Sequence, residues 1–274
     1  MGKTQFNLLS SALGAAACGL SALGFSEISH AATIVDTEIS FLVDVSGSVD
    51  SSEYALQVDG YINAFRDLDF TDTNFAANFI LWSSAFSQAE VVPWTQITDN
   101  ASAEAFADAI AAATASRPFG GSTAPGSAIS YAVPRFGTET GGVDNGFTST
   151  RQIIDVSGDG SENSGVLTSG ARDAALAAGI DVINGLPILT DEVDLDVWYR
   201  DNVIGGSGAF IEIANDFSDF EAAISKKITK EIIDDGGPDD DGTKIPEPTS
   251  VVSLISLATF GVGSMLKRKQ QPKA

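Results

Sequence analysis

The chain holds one cysteine, Cys18, and one histidine, His30, both inside its first thirty residues. Everything beyond His30 is built without a thiol or an imidazole. That excludes a disulfide, a zinc site ligated by His or Cys, and Ser-His-Asp or Cys-His catalysis from the remainder. Basic residues are also scarce: 15 Lys and Arg stand against 37 Asp and Glu, a formal net charge of −22. So acidic a surface repels phosphate backbones, and no nucleic-acid partner is expected.

The two ends read as export and sorting segments. Lys3 precedes a weakly polar stretch over 6–25 and then Ser29-His30-Ala31-Ala32, small residues of the kind a signal peptidase accepts. Residues 1–31 are therefore expected to be a cleaved signal peptide. Cys18 does not sit in a lipobox, because Ala15 stands where Leu is usual and the residues after Cys18 stay apolar. At the other end, the uncharged run 249–266 is just long enough to span a bilayer, with Lys267-Arg268-Lys269 as a flank that stays cytoplasmic. Together with Pro246-Glu247-Pro248, residues 245–274 resemble a PEP-CTERM sorting signal, which implies an exosortase as transient partner and contact with the membrane through 249–266 before processing. An ordinary C-terminal anchor is the alternative. Either reading puts the middle of the chain outside the cytoplasm, at the cell surface or in the extracellular matrix of a Gram-negative-type bacterium. The DDGGPDDDGTK run of 234–244 has nothing apolar to bury and no EF-hand spacing, so it reads as an acidic linker.

Residues 36–233 are then left as one domain, large enough for a core of its own. Apolar patterning predicts strands over 38–45, 75–82, 89–94 (closed by Pro93), 151–156, 180–183 with a loose continuation to 188, and 208–213. It predicts helices over 51–67 (capped by Ser51 or Ser52), 101–115, 124–131, 169–178 and 217–233. Strands alternating with helices imply a doubly wound, mostly parallel α/β sheet covered on both faces, with ligands bound beyond the carboxyl ends of its strands.

Three strand or helix boundaries carry oxygen ligands. The first strand runs into Asp44-Val45-Ser46-Gly47-Ser48, a Gly-Gly-Ser-Thr loop presents Thr123 ahead of a helix, and a central strand ends in Gly158-Asp159-Gly160. A doubly wound sheet gathers such loops along one edge. Two carboxylates and three hydroxyls suit a hard cation such as magnesium, which keeps several waters and uses few carboxylates. Singly, each residue has a plainer role: Asp44 and Asp159 can satisfy turn amides, and Ser48 and Thr123 can cap the helices that follow them.

In this order the three segments resemble the metal-ion-dependent adhesion site of the von Willebrand factor type A domain. The resemblance implies that Ser46, Ser48 and Thr123 bind a divalent cation directly, that Asp44 and Asp159 act mainly through water or the hydroxyls, and that a ligand carboxylate completes the shell. Magnesium is expected, with calcium or manganese as alternatives. The stretches 154–160, 183–188 and 199–210 are similar to the bacterial DUF1194 subgroup. One departure is Ser157-Gly158 before Asp159, where the family usually has Thr.

The resulting expectation is a non-enzymatic surface module that captures a protein or polysaccharide through an acidic group. A metal-assisted hydrolase is the alternative, with no base beyond carboxylates such as Asp155 and Glu162; a third reading is a structural surface protein whose cation only stabilises the fold. Asp50 is read as an exposed residue at a helix start before a second cation ligand. Trp82, Trp94, Trp198 and Tyr199 are read as packing residues before a glycan-stacking surface. Gly205, Gly206 and Gly208 are expected in a loop near the binding edge.

Overall fold

A computed structural model describes residues 31–233. The segments read above as a signal peptide (1–31, but for its last residue), an acidic linker (234–244) and a PEP-CTERM sorting signal (245–274, with the apolar run 249–266) lie outside the described residues. Among those described, no helix is long and apolar enough to cross a membrane.

In chain order the elements are β1 (Thr33–Ile34), β2 (Thr37–Asp44), α1 (Ser51–Asp67), β3 (Phe75–Trp82), β4 (Gln88–Ile97), α2 (Asn100–Ala113), α3 (Pro125–Ala132), a 3-10 segment (Val133–Thr140), β5 (Phe147–Thr148), β6 (Gln152–Gly158), α4 (Thr168–Ala178), β7 (Val182–Pro187), α5 (Leu195–Asn202), β8 (Gly205–Gly206), α6 (Phe220–Ile228) and a π turn (Thr229–Ile233). Six strands form one sheet in the order β4-β3-β2-β6-β7-β8, while β1 and β5 make a separate parallel pair. Strands β3, β2, β6 and β7 are mutually parallel, and β4 and β8 run antiparallel at the two edges. This is the doubly wound α/β fold implied by the likeness to von Willebrand factor type A domains.

The strand order places the reversal of winding between β2 and β6. From β2 the chain crosses through α1 to β3 on one side, and from β6 it crosses through α4 to β7 on the other. The crevice at such a reversal is where α/β sheets bind ligands. Pairing of Val43 with Ser157 brings Asp44 level with Gly158, so the ends of β2 and β6 lie side by side.

All eight residues of β2 and all eight of β3 are buried, as continuous apolar strands covered on both faces require. On one face α1, α2 and α6 pack over Phe41, Phe79 and Val43; on the other α3, α4 and α5 cover Leu42, Ile80, Ile154 and Val156. The first face is an aromatic cluster. Tyr61 meets Phe41 and Phe79 edge-on at centroid distances of 5.6 and 5.0 Å, and Phe65 meets Phe41 and Phe106 at 5.7 and 4.9 Å. Each such ring contributes about 1.5–3 kcal/mol by leaving water, which anchors α1 behind the end of β2.

Several local expectations change. The cap of α1 is Asp50, whose Oδ1 accepts from the backbone N–H groups of Ser52 and Glu53 while Glu53 returns a bond to the Asp50 N–H. Neither Ser51 nor Ser52 caps this helix, and Asp50 is occupied as the cap. Strand β4 continues through Pro93 to Ile97; as an edge strand it tolerates the missing donor, and the register shifts opposite Asn78 mark an irregularity at the proline. Helix α5 appears where 195–202 showed no clear period. No strand forms over 208–213, where only an isolated bridge at Ile211 is made; the short strand β8 lies ahead of it at 205–206, and a second bridge follows at Ala214. Gly205 and Gly206 pair with Ile183 and Val182 at the start of β7, the end of the sheet opposite the predicted binding edge.

Candidate metal centre

Asp44 ends β2 with its side chain fully buried, and Oδ1 accepts the Ser46 N–H at 2.7 Å. That bond folds 44–48 into a tight turn. Ser46 Oγ lies 3.2 Å from Ser48 Oγ, and Ser48 Oγ donates to Asp159 Oδ1 at 2.7 Å. Four of the five expected residues are thus joined in one hydrogen-bonded chain that closes between the ends of β2 and β6.

Thr123 arrives on a second loop. The Gly47 N–H donates to the Gly121 carbonyl at 2.7 Å and ties the two loops together. Thr123 is held from the third loop as well: its N–H donates to Asn163 Oδ1 at 2.9 Å, and its carbonyl accepts the Asn163 N–H at 3.0 Å. A methyl built on Gly160 would stand 3.7 Å from Thr123 Cγ2 and 3.8 Å from its Oγ1, so the Thr123 side chain lies beside the backbone directly after Asp159. The cap position of α3 is Ala124, with no side-chain cap bond, so Thr123 is not spent on capping. Ser48 likewise leaves the capping of α1 to Asp50.

The electrostatics favour added positive charge. Asp44 has its carboxyl held well above the usual carboxylate range, first by burial and then by the negative charge of Asp159, against the hydrogen bonds from Ser46. Burial also raises Asp159, opposed by its bond from Ser48, with the Glu53 and Asp191 charges adding to the rise. Asp44 Oδ2 is buried and meets no hydrogen-bond donor. An orphaned carboxylate oxygen inside a protein is costly, and a cation is the partner whose charge removes that cost. Two carboxylates and three hydroxyls fit a hard divalent ion held partly through water. Among the described residues no three His, Cys, Asp or Glu side chains converge as a metal site, so a cation held here would also need the hydroxyls.

Residues not assigned to the site from the sequence support the centre from behind. Gln57 Nε2, on α1, donates to the Asp44 carbonyl at 2.7 Å. Tyr199, fully buried on α5, directs its hydroxyl to the Gly158 carbonyl at 3.4 Å. A methyl on Gly158 would meet Asp44 Oδ2 at 2.8 Å and Tyr199 Oη at 3.0 Å, so a glycine is needed there for close approach. Ser157, the departure from the family pattern, is turned into the sheet: its Oγ accepts from Tyr61 Oη at 3.3 Å and donates to the Leu42 carbonyl at 3.4 Å. Asn163 went unread as well; its one sequence signal is a polar side chain four positions after Asp159, in the loop that follows β6.

Other candidates are placed elsewhere. Asp155 is buried beside Lys227, and Glu162 accepts from both the backbone and the hydroxyl of Thr168 at the start of α4. Trp82 and Tyr199 are fully buried, and Trp94 packs on Phe136 at 5.1 Å, so these rings form no joint stacking surface. A groove of about 340 Å³ lined by Trp94, Arg135, Glu90 and Asn145 is separate from the centre; Asn145 in its wall hydrogen-bonds Glu38, at the far end of β2 from Asp44.

Comparison with solved structures finds proximal thread matrix protein 1 from the mussel byssus in two crystal forms. One superposes with a TM-score of 0.52 and the other with 0.51, each at 16% identity over 72% of this chain, and covering 47% and 48% of the mussel protein respectively. The chain thus spans about half the length of the structures it matches, and the likeness is one of fold. Comparison with curated proteins gave no match. Residues 34–236 match the model of the family described as protein of unknown function DUF1194, and the chain belongs to that family.

Proposed function

We propose that this protein is an exported surface or extracellular binding module, which captures a ligand by an acidic group through a divalent cation held by Asp44, Ser46, Ser48, Thr123 and Asp159. The observation that carries this reading is the buried, unpartnered Asp44 Oδ2 beside a chain of hydroxyls that ends on Asp159. A bound cation would neutralise the two carboxylates and offer an open coordination position to a ligand oxygen. Ser46 and Ser48 would bind it directly, with Ser48 as the exposed member of the set. Magnesium suits this donor set best, calcium and manganese next. Ligand capture without chemistry fits a chain whose described residues contain no His or Cys.

Export by the N-terminal signal and sorting by an exosortase acting on 245–274 complete the proposal. Mass spectrometry of the protein recovered from outside the cell tests it, with loss of the first 31 or 32 residues and of the tail beyond Pro246 as the expected result. The cation is tested by calorimetric titration of magnesium, calcium or manganese into chelated protein. Wild type is expected to bind one ion and Ser46→Ala to bind none. Equal heats for the two proteins would sink the assignment.

A further inference from the structure

Four of the eight large apolar side chains exposed among the described residues stand on loops at the cation edge. Phe86 is 99% exposed at the tip of the 83–87 turn, Val193 is 75% exposed, Leu167 64% and Val166 50%. The three loops that carry them leave the carboxyl ends of β3, β6 and β7, the same edge as Asp44 and Asp159. Each loop is bonded to residues that neighbour the centre. Ser84 Oγ, two residues before Phe86, accepts the Ser122 N–H at 3.0 Å, next to Thr123. Val166 donates its N–H to Ser127 Oγ on α3, and Glu192, beside Val193, accepts from the Ser161 N–H, two residues past Asp159. Packing inside the fold does not account for side chains placed so far into water, and clustered exposed apolar groups mark interaction surfaces.

The charges beside these apolar groups are predominantly acidic, with Arg117, which donates to the Val49 carbonyl, as a basic side chain at the same edge. Asp50, Asp191 and Glu192 are exposed at the same edge, and the Glu53 and Asp191 charges reach Asp159. A polyanionic chain that put one carboxylate on the cation would bring its neighbouring charges against this acidic rim. A peptide segment with a single carboxylate between apolar side chains meets no such repulsion, and it buries apolar area on Phe86 and Val193.

Resting on the cation reading above, we infer that the partner is a protein, recognised by one acidic side chain flanked by apolar residues, with Phe86, Val166, Leu167 and Val193 as the rim that selects it. The test uses the full chain and immobilised synthetic peptides with one central Asp flanked by Leu and Phe, by Ser, or by Glu, alongside alginate as an acidic polysaccharide. In magnesium the apolar-flanked peptide is expected to bind roughly tenfold tighter than the Ser-flanked one. The Phe86→Ser, Val193→Ser double variant is expected to lose that preference and keep the calorimetric magnesium affinity. Tighter retention on alginate, equal binding of the Leu/Phe-flanked and Ser-flanked peptides, or an undiminished preference in the double variant would each overturn the rim while the cation heat stands. Absence of any cation heat in wild type would overturn the cation reading and this inference with it.

Discussion

Lys227 Nζ stands 2.8 Å from Asp155 Oδ1, and both side chains are fully buried. The pair joins the closing helix α6 to β6, the strand that ends at the candidate centre. Glu231 Oε1 lies 2.6 Å from the same ammonium and accepts a second bond at 2.7 Å from Asn184 on β7. Removing the ammonium leaves two carboxylates in the core with no counter-charge. Lys227→Met is therefore expected to destabilise the domain by about 3–5 kcal/mol, read from the urea midpoint. Adding Asp155→Asn and Glu231→Gln to that variant should recover most of the loss.

The same cluster sets a pH dependence. Glu231 is pushed up to about 7 from an ordinary 4.5, chiefly by burial, with Lys227 pulling it down and Asp155 pushing it up. A proton held more tightly by the folded than the unfolded chain gives stability that is complete below the unfolded value and is lost as pH rises through the folded one. Asp155 is also raised, by burial first, and acts in the same direction. Denaturation midpoints should fall between about pH 5 and pH 7.5. Glu231→Gln should flatten that fall; an unchanged slope would refute the assignment.

Gly158→Ala tests the closeness of the two central strand ends. Its methyl would stand 2.8 Å from Asp44 Oδ2 and 3.0 Å from Tyr199 Oη. The expected cost is about 1–3 kcal/mol, together with loss of cation binding by calorimetry.

Asp44→Asn separates the cation's contribution from that of the fold. Asparagine keeps an oxygen for the Ser46 N–H and removes a buried charge that faces Asp159. In chelator the variant should melt at or above wild type. Saturating magnesium should raise the melting temperature of wild type alone, by an amount equivalent to about 2.7 kcal/mol at a hundredfold excess over its dissociation constant.

Much of the sheet, and the meeting of Asp44, Ser46, Ser48 and Asp159 at its edge with Thr123 on the adjoining loop, was legible because each rests on a local pattern. Helix α1 has clear helical spacing of Tyr54, Val58, Tyr61 and Phe65, and its bounds of 51–67 match the reading of the sequence. Its cap was misread because Asp50, Ser51 and Ser52 are all capping residues, and only the bond to Glu53 decides among them. Helix α5 escaped because its eight residues mix Asp, Arg and aromatics, and it is held by burying Leu195 and Tyr199 against distant strands. The role of Lys227 was invisible for a related reason. Next to Lys226 it reads as part of a solvated helix face, and Asp155, 72 positions earlier, gives no hint that they meet.

The bond from Ser48 to Asp159 spans 111 residues of chain. A nascent or translocating polypeptide therefore owns no half-built version of the centre that could retain an ion, since neither the 44–48 turn nor Asp159 alone brings enough oxygens together. Under the proposed function, which metal is loaded is consequently decided by the compartment in which β2 and β6 first dock. For the exported chain proposed above, threaded unfolded across a membrane, that is the ion composition outside, whatever the cytoplasm contains.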